Sequence, residues 1–152
     1  MSELELREVA YDSAVAAQLV AAVQAEYVAR YGGPDETPVE PGEFAAPQGL
    51  FLVGYLDGVP VATGGFRRHA PTAVELKRMY VVPEARGKGL SRVMLAALED
   101  RARLAGARRI VLETGDRQPE AVSLYESSGY ERIPGFGHYA CAPESYSFAK
   151  DL

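Results

Sequence analysis

The segment MYVVPEARGKGLSRVML, residues 79–95, joins a strand-like run to an amphipathic helix through a turn that contains two glycines. Pro83 ends the strand that alternation predicts over Thr72–Val82. The helix that follows is predicted over Leu90–Ala105, before Gly106, with Arg92, Glu99 and Arg103 on its outer face. The first amides of a helix have no partner within it, and the positive end of the helix dipole lies at the same place. This junction requires a fold in which strands feed helices, and it predicts an anion-binding site at the turn.

The other elements follow from hydrophobic periodicity and from turn residues. We predict a strand at Leu4–Val9, a helix begun by Asp12 or Ser13 and ended by Gly32-Gly33, a loop over residues 34–49, a hairpin of Leu50–Leu56 and Val59–Phe66 around Asp57-Gly58, a buried strand at Arg109–Glu113, a helix from Pro119 to Gly129, and last strands at Tyr130–Ile133 and Tyr146–Phe148. This order predicts one α/β domain over residues 1–152, with a mixed, mostly antiparallel sheet flanked by helices.

The strand before the glycine turn changes its alternation part-way. Val74 and Leu76 place apolar side chains at even positions, whereas Met79 and Val81 place them at odd positions. One extra residue would produce this change, so we predict a β-bulge near Lys77–Tyr80 in a central strand. A bulge turns a strand away from its neighbour and opens a cleft. The alternative is a strand buried on both faces, in which alternation carries no information.

Composition narrows the functional classes. The 152 residues carry a formal net charge of −5, so general nucleic-acid binding is not expected. No apolar run approaches the roughly 18 residues of a membrane helix, and the acidic, alternating start MSELELREVA is unlike a secretory signal, so no membrane partner is expected. The single cysteine, Cys141, excludes an intrachain disulfide, and no metal site is predicted. We expect a cytoplasmic protein.

The glycine turn carries positive charge in an otherwise acidic chain. Arg86, Lys88 and Arg92 lie in or beside it, and Lys77 and Arg78 precede it. Backbone amides and cations together predict a phosphate or pyrophosphate ligand. The spacing excludes a Walker loop, which needs Gly-Lys followed by Ser or Thr, and a dinucleotide fingerprint, which needs a glycine at position 92. The alternative is a solvated basic turn without a ligand.

Two motifs resemble those of the GNAT N-acetyltransferases. Val81-Val82-Pro83 followed by RGKGLS at residues 86–91 resembles the acyl-CoA-binding motif of that family, with Ser91 in place of the final Gly or Ala. The later GDRQPEAVSLYESSGY resembles its second signature, although Gln118 stands where many members have asparagine. The resemblance implies a GNAT-like fold, acetyl-CoA as co-substrate, and direct transfer to a primary amine of a small molecule or peptide in a ternary complex; it leaves a homodimer open.

The resemblance also implies which residues contact the co-substrate. Amides from residues 86–91 would hold the pyrophosphate, and backbone groups of residues 79–82 would pair with the pantetheine arm, with an amide near Val81 polarising the thioester carbonyl. The arm would lie between the bulged strand and Arg109–Glu113. The expected contact residues are Met79, Tyr80, Val81, Val82, Arg86, Gly87, Lys88, Gly89, Leu90, Ser91, Gln118 and Ala121.

Two residues are the catalytic candidates. Glu75 precedes the bulge and is the expected base, directly or through a water; the alternative is a surface glutamate paired with Lys77. Tyr125 matches the tyrosine acid of the family, and the alternative is a core tyrosine. Glu113 ends a strand and either contacts the acceptor or caps the next turn.

The competing functions are a non-catalytic acyl-CoA-binding domain and another nucleotide-binding α/β module.

The loop over residues 34–49 carries the prediction for the acceptor. The loop contains four acids, Asp35, Glu36, Glu40 and Glu43. The helix before it carries two tyrosines near its end, Tyr27 and Tyr31. An acidic rim with aromatic walls would attract a cationic amine and pack against its apolar body. The alternative is a solvated surface loop, in which case residues 135–144 would determine specificity.

Overall fold

The computed structural model describes residues 3–152, so the first two residues of the predicted domain lie outside it. Seven strands form one sheet in the order β1-β2-β3-β4-β5-β7-β6. The strands are β1 Glu5–Glu8, β2 Gly49–Leu56, β3 Val59–Ala70, β4 Ala73–Val81, β5 Arg109–Gly115, β6 Glu131–Ile133 and β7 Ser145–Asp151. Only β4 and β5 pair in parallel, and the other described pairs are antiparallel. The predicted mixed, mostly antiparallel sheet is confirmed.

Three helices flank the sheet, and short 3-10 turns lie at Pro41–Phe44 and Pro83–Ala85. The helices are α1 Ala14–Tyr31, α2 Leu90–Leu104 and α3 Pro119–Ser127. The predicted start and end of α1 are confirmed: the Ser13 hydroxyl accepts a hydrogen bond from the Ala16 amide, and Gly32 closes the helix in a left-handed conformation.

The core occupies both faces of the sheet. In β2, Leu50 and Leu52 pack in the cluster beneath α2 and α3, whereas Phe51 and Val53 pack with α1 and the turn at Pro41–Phe44. Alternate side chains of one strand therefore enter two different apolar layers. This explains why the run LFLV contains no polar residue.

One predicted surface residue of α2 is instead buried. Glu99 was expected on the outer face with Arg92 and Arg103, but it lies on the face that packs on the sheet. Its carboxylate accepts a hydrogen bond from the Tyr130 hydroxyl at 2.9 Å and pairs with the Lys150 Nζ atom at 3.1 Å. These two partners, from distant parts of the chain, compensate the burial of the charge.

The β-bulge in β4 is confirmed. Thr63 of β3 pairs with Tyr80 and Gly65 pairs with Lys77, so the two residues between them in β4 oppose one residue of β3. The first of the two, Arg78, has a left-handed φ of 61°, and its carbonyl oxygen accepts a hydrogen bond from the Thr63 hydroxyl at 2.7 Å. The bulge reverses which side chains face the core, as the change of alternation predicted.

The parallel pairing of β4 and β5 is short. Only Ala73–Glu75 pairs with Arg109–Val111, and beyond these residues the two strands diverge. Residues 76–81 of β4 consequently have no strand partner on their β5 side. The fold thus places an open strand edge beside a gap that begins in the middle of the sheet.

Candidate active site

A cleft of about 300 Å³ fills the gap between the diverging strands. We call it the β4–β5 cleft; β4, β5, the glycine turn, α1 and α3 line it. Its walls include most of the predicted co-substrate contacts, namely Met79, Tyr80, Val81, Arg86, Gly87, Gly89, Leu90, Ser91, Gln118 and Ala121. Val82 and Lys88 were expected there too, and their side chains are not among those that line the cleft. One continuous groove therefore joins the glycine turn to the open edge of β4.

The glycine turn has the geometry of an anion site. Gly87 and Gly89 have φ angles of 81° and 76°, which side chains with a Cβ atom rarely adopt. Their conformation leads directly into α2 at Leu90, so the unpaired amides of the first helical turn face the end of the cleft. The turn can therefore hold a phosphate group with backbone donors.

Arg86 crosses the mouth of this cleft. Its Nε atom donates to the Val81 carbonyl oxygen at 2.9 Å, and its NH2 atom lies 2.7 Å from the Glu26 carboxylate on α1. The guanidinium also lies over the Tyr80 ring, 5.7 Å from its centroid. Arg86, one of the cations at the turn, is thus paired with an acid of α1.

Glu75 lies in the part of β4 that is still paired with β5, opposite Val111. Its carboxylate accepts a hydrogen bond from the Arg67 Nε atom at 3.0 Å and lies 3.9 Å from the Lys77 Nζ atom. The side chain is buried, and it does not line the β4–β5 cleft. Its role as a base stays a prediction, and its main partner is Arg67, which the sequence did not indicate.

Tyr125 lies at the floor of the cleft on α3, beside Tyr27 of α1. Burial raises the pKa of Tyr125 well above its ordinary value, and burial also raises the pKa of Tyr27 to about 12. Within residues 3–152, neither hydroxyl has a hydrogen-bond partner. Both groups therefore stay protonated at neutral pH, and their hydroxyls can donate hydrogen bonds to a ligand.

Glu113 has the most unusual environment in the cleft. One of its carboxylate oxygens, Oε2, is buried and makes no hydrogen bond to any described residue. Burial, reinforced by the negative charge of Glu75 and opposed by Lys77, raises the pKa of Glu113 to about 7. The sequence signal was a carboxylate at the end of the apolar strand RIVLE, which left two roles open. The structure places this carboxylate where it can accept a proton near neutral pH.

A second cavity, of about 370 Å³, adjoins the cleft. The end of α1, the loop after it, the end of β5 and the loop before β7 enclose it. Glu113, Lys77 and Tyr27 line both spaces. The Glu36 amide donates a hydrogen bond of 2.7 Å to the Tyr139 hydroxyl, which ties the two loops together over the cavity. Glu113 therefore lies where the cleft and the second cavity meet.

The acidic loop contributes less free charge to this cavity than the sequence predicted. Asp35 pairs with Arg78 at 2.6 Å and Lys77 at 3.1 Å; burial alone would raise the pKa of Asp35, but Lys77, Thr37 and Arg78 together hold it well below its ordinary value. Glu43 pairs with Arg67 and, like Glu40, lies outside the cavity. The predicted rim of four acids is therefore wrong for Glu40 and Glu43, because only the beginning of the loop, at residues 34–36, lines the second cavity.

The sequence profile of the acetyltransferase (GNAT) family matches residues 17–130. The chain belongs to this family. It is 37% identical over 109 residues to the IAA acetyltransferase of Azospirillum brasilense, with 71% of each chain covered. It is also 31% identical over 119 residues to N-acetylaspartate synthetase of Rattus norvegicus, which covers 78% of this chain and 40% of that relative.

Solved GNAT structures share the fold. A candidate acyl-CoA N-acyltransferase from Klebsiella pneumoniae superposes with a TM-score of 0.82 at 29% identity, over 98% of this chain and 97% of that one. The PaiA N-acetyltransferase of Thermoplasma acidophilum, solved with coenzyme A, superposes with a TM-score of 0.73 at 14% identity over 99% of each chain. The predicted GNAT fold and enzyme class are confirmed: this N-acetyltransferase uses an acyl-CoA co-substrate and an amine acceptor.

None of the helices within residues 3–152 combines the length and the apolar character that crossing a bilayer would need. The cytoplasmic location stays a prediction.

Proposed function

We propose that this GNAT enzyme transfers acetyl from acetyl-CoA to a primary amine by direct attack in a ternary complex. The observation that carries the proposal is the position of Glu113, where the β4–β5 cleft meets the second cavity. The cleft has an open strand edge and an anion-binding turn, which suit the pantetheine arm and the pyrophosphate. The second cavity leaves room for an acceptor on the other side of the same carboxylate.

The co-substrate contacts follow from the open edge and the turn. Amides at residues 87–91 would bind the pyrophosphate, and the unpaired edge of residues 79–81 would pair with the pantetheine amides as an added strand does. On binding, Arg86 would leave its ion pair with Glu26 and form ion pairs with the phosphates instead. This arrangement supports a thioester bound near Glu113 and Tyr125.

The chemistry needs one proton acceptor and one proton donor. The amine nitrogen bonds to the thioester carbon, the C–S bond breaks, and the sulfur leaves as a thiolate. We assign proton removal from the amine to Glu113, because its pKa of about 7 suits a base at neutral pH and its Oε2 atom has no described partner. Protonation of the thiolate is assigned to Tyr125, whose hydroxyl has no hydrogen-bond partner within residues 3–152.

Glu113 replaces Glu75 in this proposal for a geometric reason. The Glu75 carboxylate is held by Arg67 at 3.0 Å and lies outside the cleft, whereas Glu113 lines both spaces. A carboxylate that already accepts a hydrogen bond from Arg67 is less available to an amine in the cleft.

The test is thiol release from acetyl-CoA across a panel of amines, measured against pH in matched variants. Glu113→Gln should remove the acidic limb of the kcat/KM profile near pH 7, and Glu75→Gln should retain that limb. The reverse pattern would return the role of base to Glu75. Acetyl-CoA binding with no transfer to any amine would support the non-catalytic alternative.

We propose further that residues 1–152 act as one N-acetyltransferase domain, since all seven described strands share one sheet. A homodimer stays a prediction.

A further inference from the structure

We propose that the acceptor is a primary amine without a carboxylate group, and that it occupies the second cavity with its amine toward Glu113. This rests on the proposed function and names the substrate class that its acceptor side would take. Three properties of the cavity carry it: the charge of its lining, an unsatisfied hydrogen-bond acceptor, and its tyrosine walls.

The lining of the second cavity is acidic. Its described side chains include Asp35, Glu36, Glu113 and Glu144 but only one base, Lys77. That lysine is already engaged, because its Nζ atom lies 3.1 Å from Asp35 and 3.9 Å from Glu75. A carboxylate on the acceptor would consequently meet acids and no free cation within the described part of the cavity, so it would lose water without gaining a partner.

Where the second cavity meets the β4–β5 cleft, a hydrogen-bond acceptor is present without a matching donor. The buried Oε2 atom of Glu113 has no hydrogen-bond partner among the described residues, and the Tyr27 hydroxyl, which lines the same two spaces, has none among them either. An ammonium or amine supplies N–H donors for both oxygens. The cavity therefore complements the nitrogen end of an acceptor and has no matching group for a second, anionic end.

Tyrosine rings form the walls. The Tyr31 ring packs directly on Gly115, where a side chain would overlap its hydroxyl, and that hydroxyl accepts from the Arg117 amide at 3.1 Å. The Tyr139 hydroxyl is occupied by the Glu36 amide. Because both hydroxyls are engaged, the rings present mainly their apolar surfaces to the cavity. Such surfaces suit an alkyl or aromatic body and attract a cation.

The proposed acceptor class differs from that of relatives that are named for an amino acid. N-acetylaspartate synthetase is named for an acceptor with two carboxylates, and its match covers 40% of that protein. Among the described residues that line the second cavity, no free cation is present to receive either group.

The experiment compares pairs of acceptors that differ by a single carboxylate: tyramine with tyrosine, agmatine with arginine, cadaverine with lysine, and histamine with histidine. The amine of each pair should have a kcat/KM at least about tenfold higher than its amino acid, because like charges repel in a partly dehydrated cavity. The readout is thiol release from acetyl-CoA, with the acetylated product identified by mass spectrometry.

Variants of the exposed acids at the opening give a second measure. Glu36→Gln with Glu144→Gln should raise KM for the amines more than for the amino acids and narrow the ratio within each pair, and high salt should reduce this effect. Glu131→Gln, an exposed acid on β6 outside the cavity, is the matched control and should leave the ratio unchanged.

The outcomes are distinguishable. Preferred transfer to the amino acids, or to peptide amines over all the simple amines, would overturn this inference and leave the proposed function intact. Binding of acetyl-CoA without transfer to any acceptor would refute the proposed function and, with it, this inference.

Discussion

Replacing Glu113 by glutamine should make the protein more stable at alkaline pH while it removes the proposed base. The carboxylate is partly buried, and burial raises its pKa from the ordinary 4.5 to about 7. The folded protein therefore binds this proton more tightly than the unfolded chain does. The wild-type free energy of unfolding should fall as the pH rises from about 4.5 to about 7, and this contribution should be constant above that range.

The size of the effect follows from the same shift. A rise from 4.5 to about 7 corresponds to about 3 kcal/mol at most. The Glu113 carboxylate borders an open cleft, where solvent screening reduces this value, so we expect about 1 to 2 kcal/mol. Glutamine has the same shape and does not ionise. Glu113→Gln should thus match the wild type near pH 4.5 and exceed it by that amount at pH 8.

The assay is urea denaturation of both proteins at several pH values, with Glu131→Gln as the exposed control. The control should shift the free energy of unfolding by a small, nearly constant amount. A difference between Glu113→Gln and wild type that does not grow between pH 5 and 8 would refute the reasoning, because the carboxylate would then ionise as it does in water. A gain in stability together with a loss of activity would show that the charge destabilises the fold at the site where it is used.

Three further outcomes are expected. Gly89→Val should abolish acetyl-CoA binding, measured by calorimetry, because valine strains the φ of 76° that shapes the turn. The fold, measured by circular dichroism, should be retained, because a side chain at this position meets open space. Wild-type affinity would mean that the co-substrate binds elsewhere. Tyr125→Phe should lower kcat by roughly 10- to 1000-fold with co-substrate affinity unchanged, and an unaltered kcat would make this tyrosine a core residue. Glu26→Gln should strengthen acetyl-CoA binding about two- to fivefold, because it frees Arg86 from a partly exposed ion pair; equal or weaker binding would contradict a competition between Glu26 and the phosphates.

The elements that the sequence predicted well depend on neighbours along the chain. Ser13 and Gly32 bound α1 through contacts that span three or four residues. The bulge at Arg78 was visible because alternation reports which face each side chain occupies. The glycine turn was recognised because Gly87 and Gly89, which adopt positive φ angles, directly precede the helix in one short segment.

The predictions that were wrong or left open depend on residues far apart. Glu99 was expected in solvent, but its carboxylate is buried and accepts hydrogen bonds from Tyr130 and Lys150, which lie 31 and 51 positions later in the chain. The Asp35 carboxylate was expected at the rim, yet it pairs with Arg78, 43 positions later. Periodicity assigns a face to a charged residue but does not name its partner.

The sequence by itself determined the α/β class, the glycine turn before α2, the bulged strand and the family, because each of these depends on local backbone preferences or on short motifs. Only the tertiary structure distinguishes the surroundings of the two candidate carboxylates. Glu75 and Glu113 both follow apolar residues on neighbouring strands, and the sequence favoured the first. Folding brings Arg67 against Glu75 and, among the residues that the structure describes, leaves the Oε2 atom of Glu113 without a hydrogen-bond partner at the junction of two cavities. The basicity of a carboxylate depends on its solvation and on the charges around it, and these are properties of the folded surface that adjacent residues in the chain do not supply.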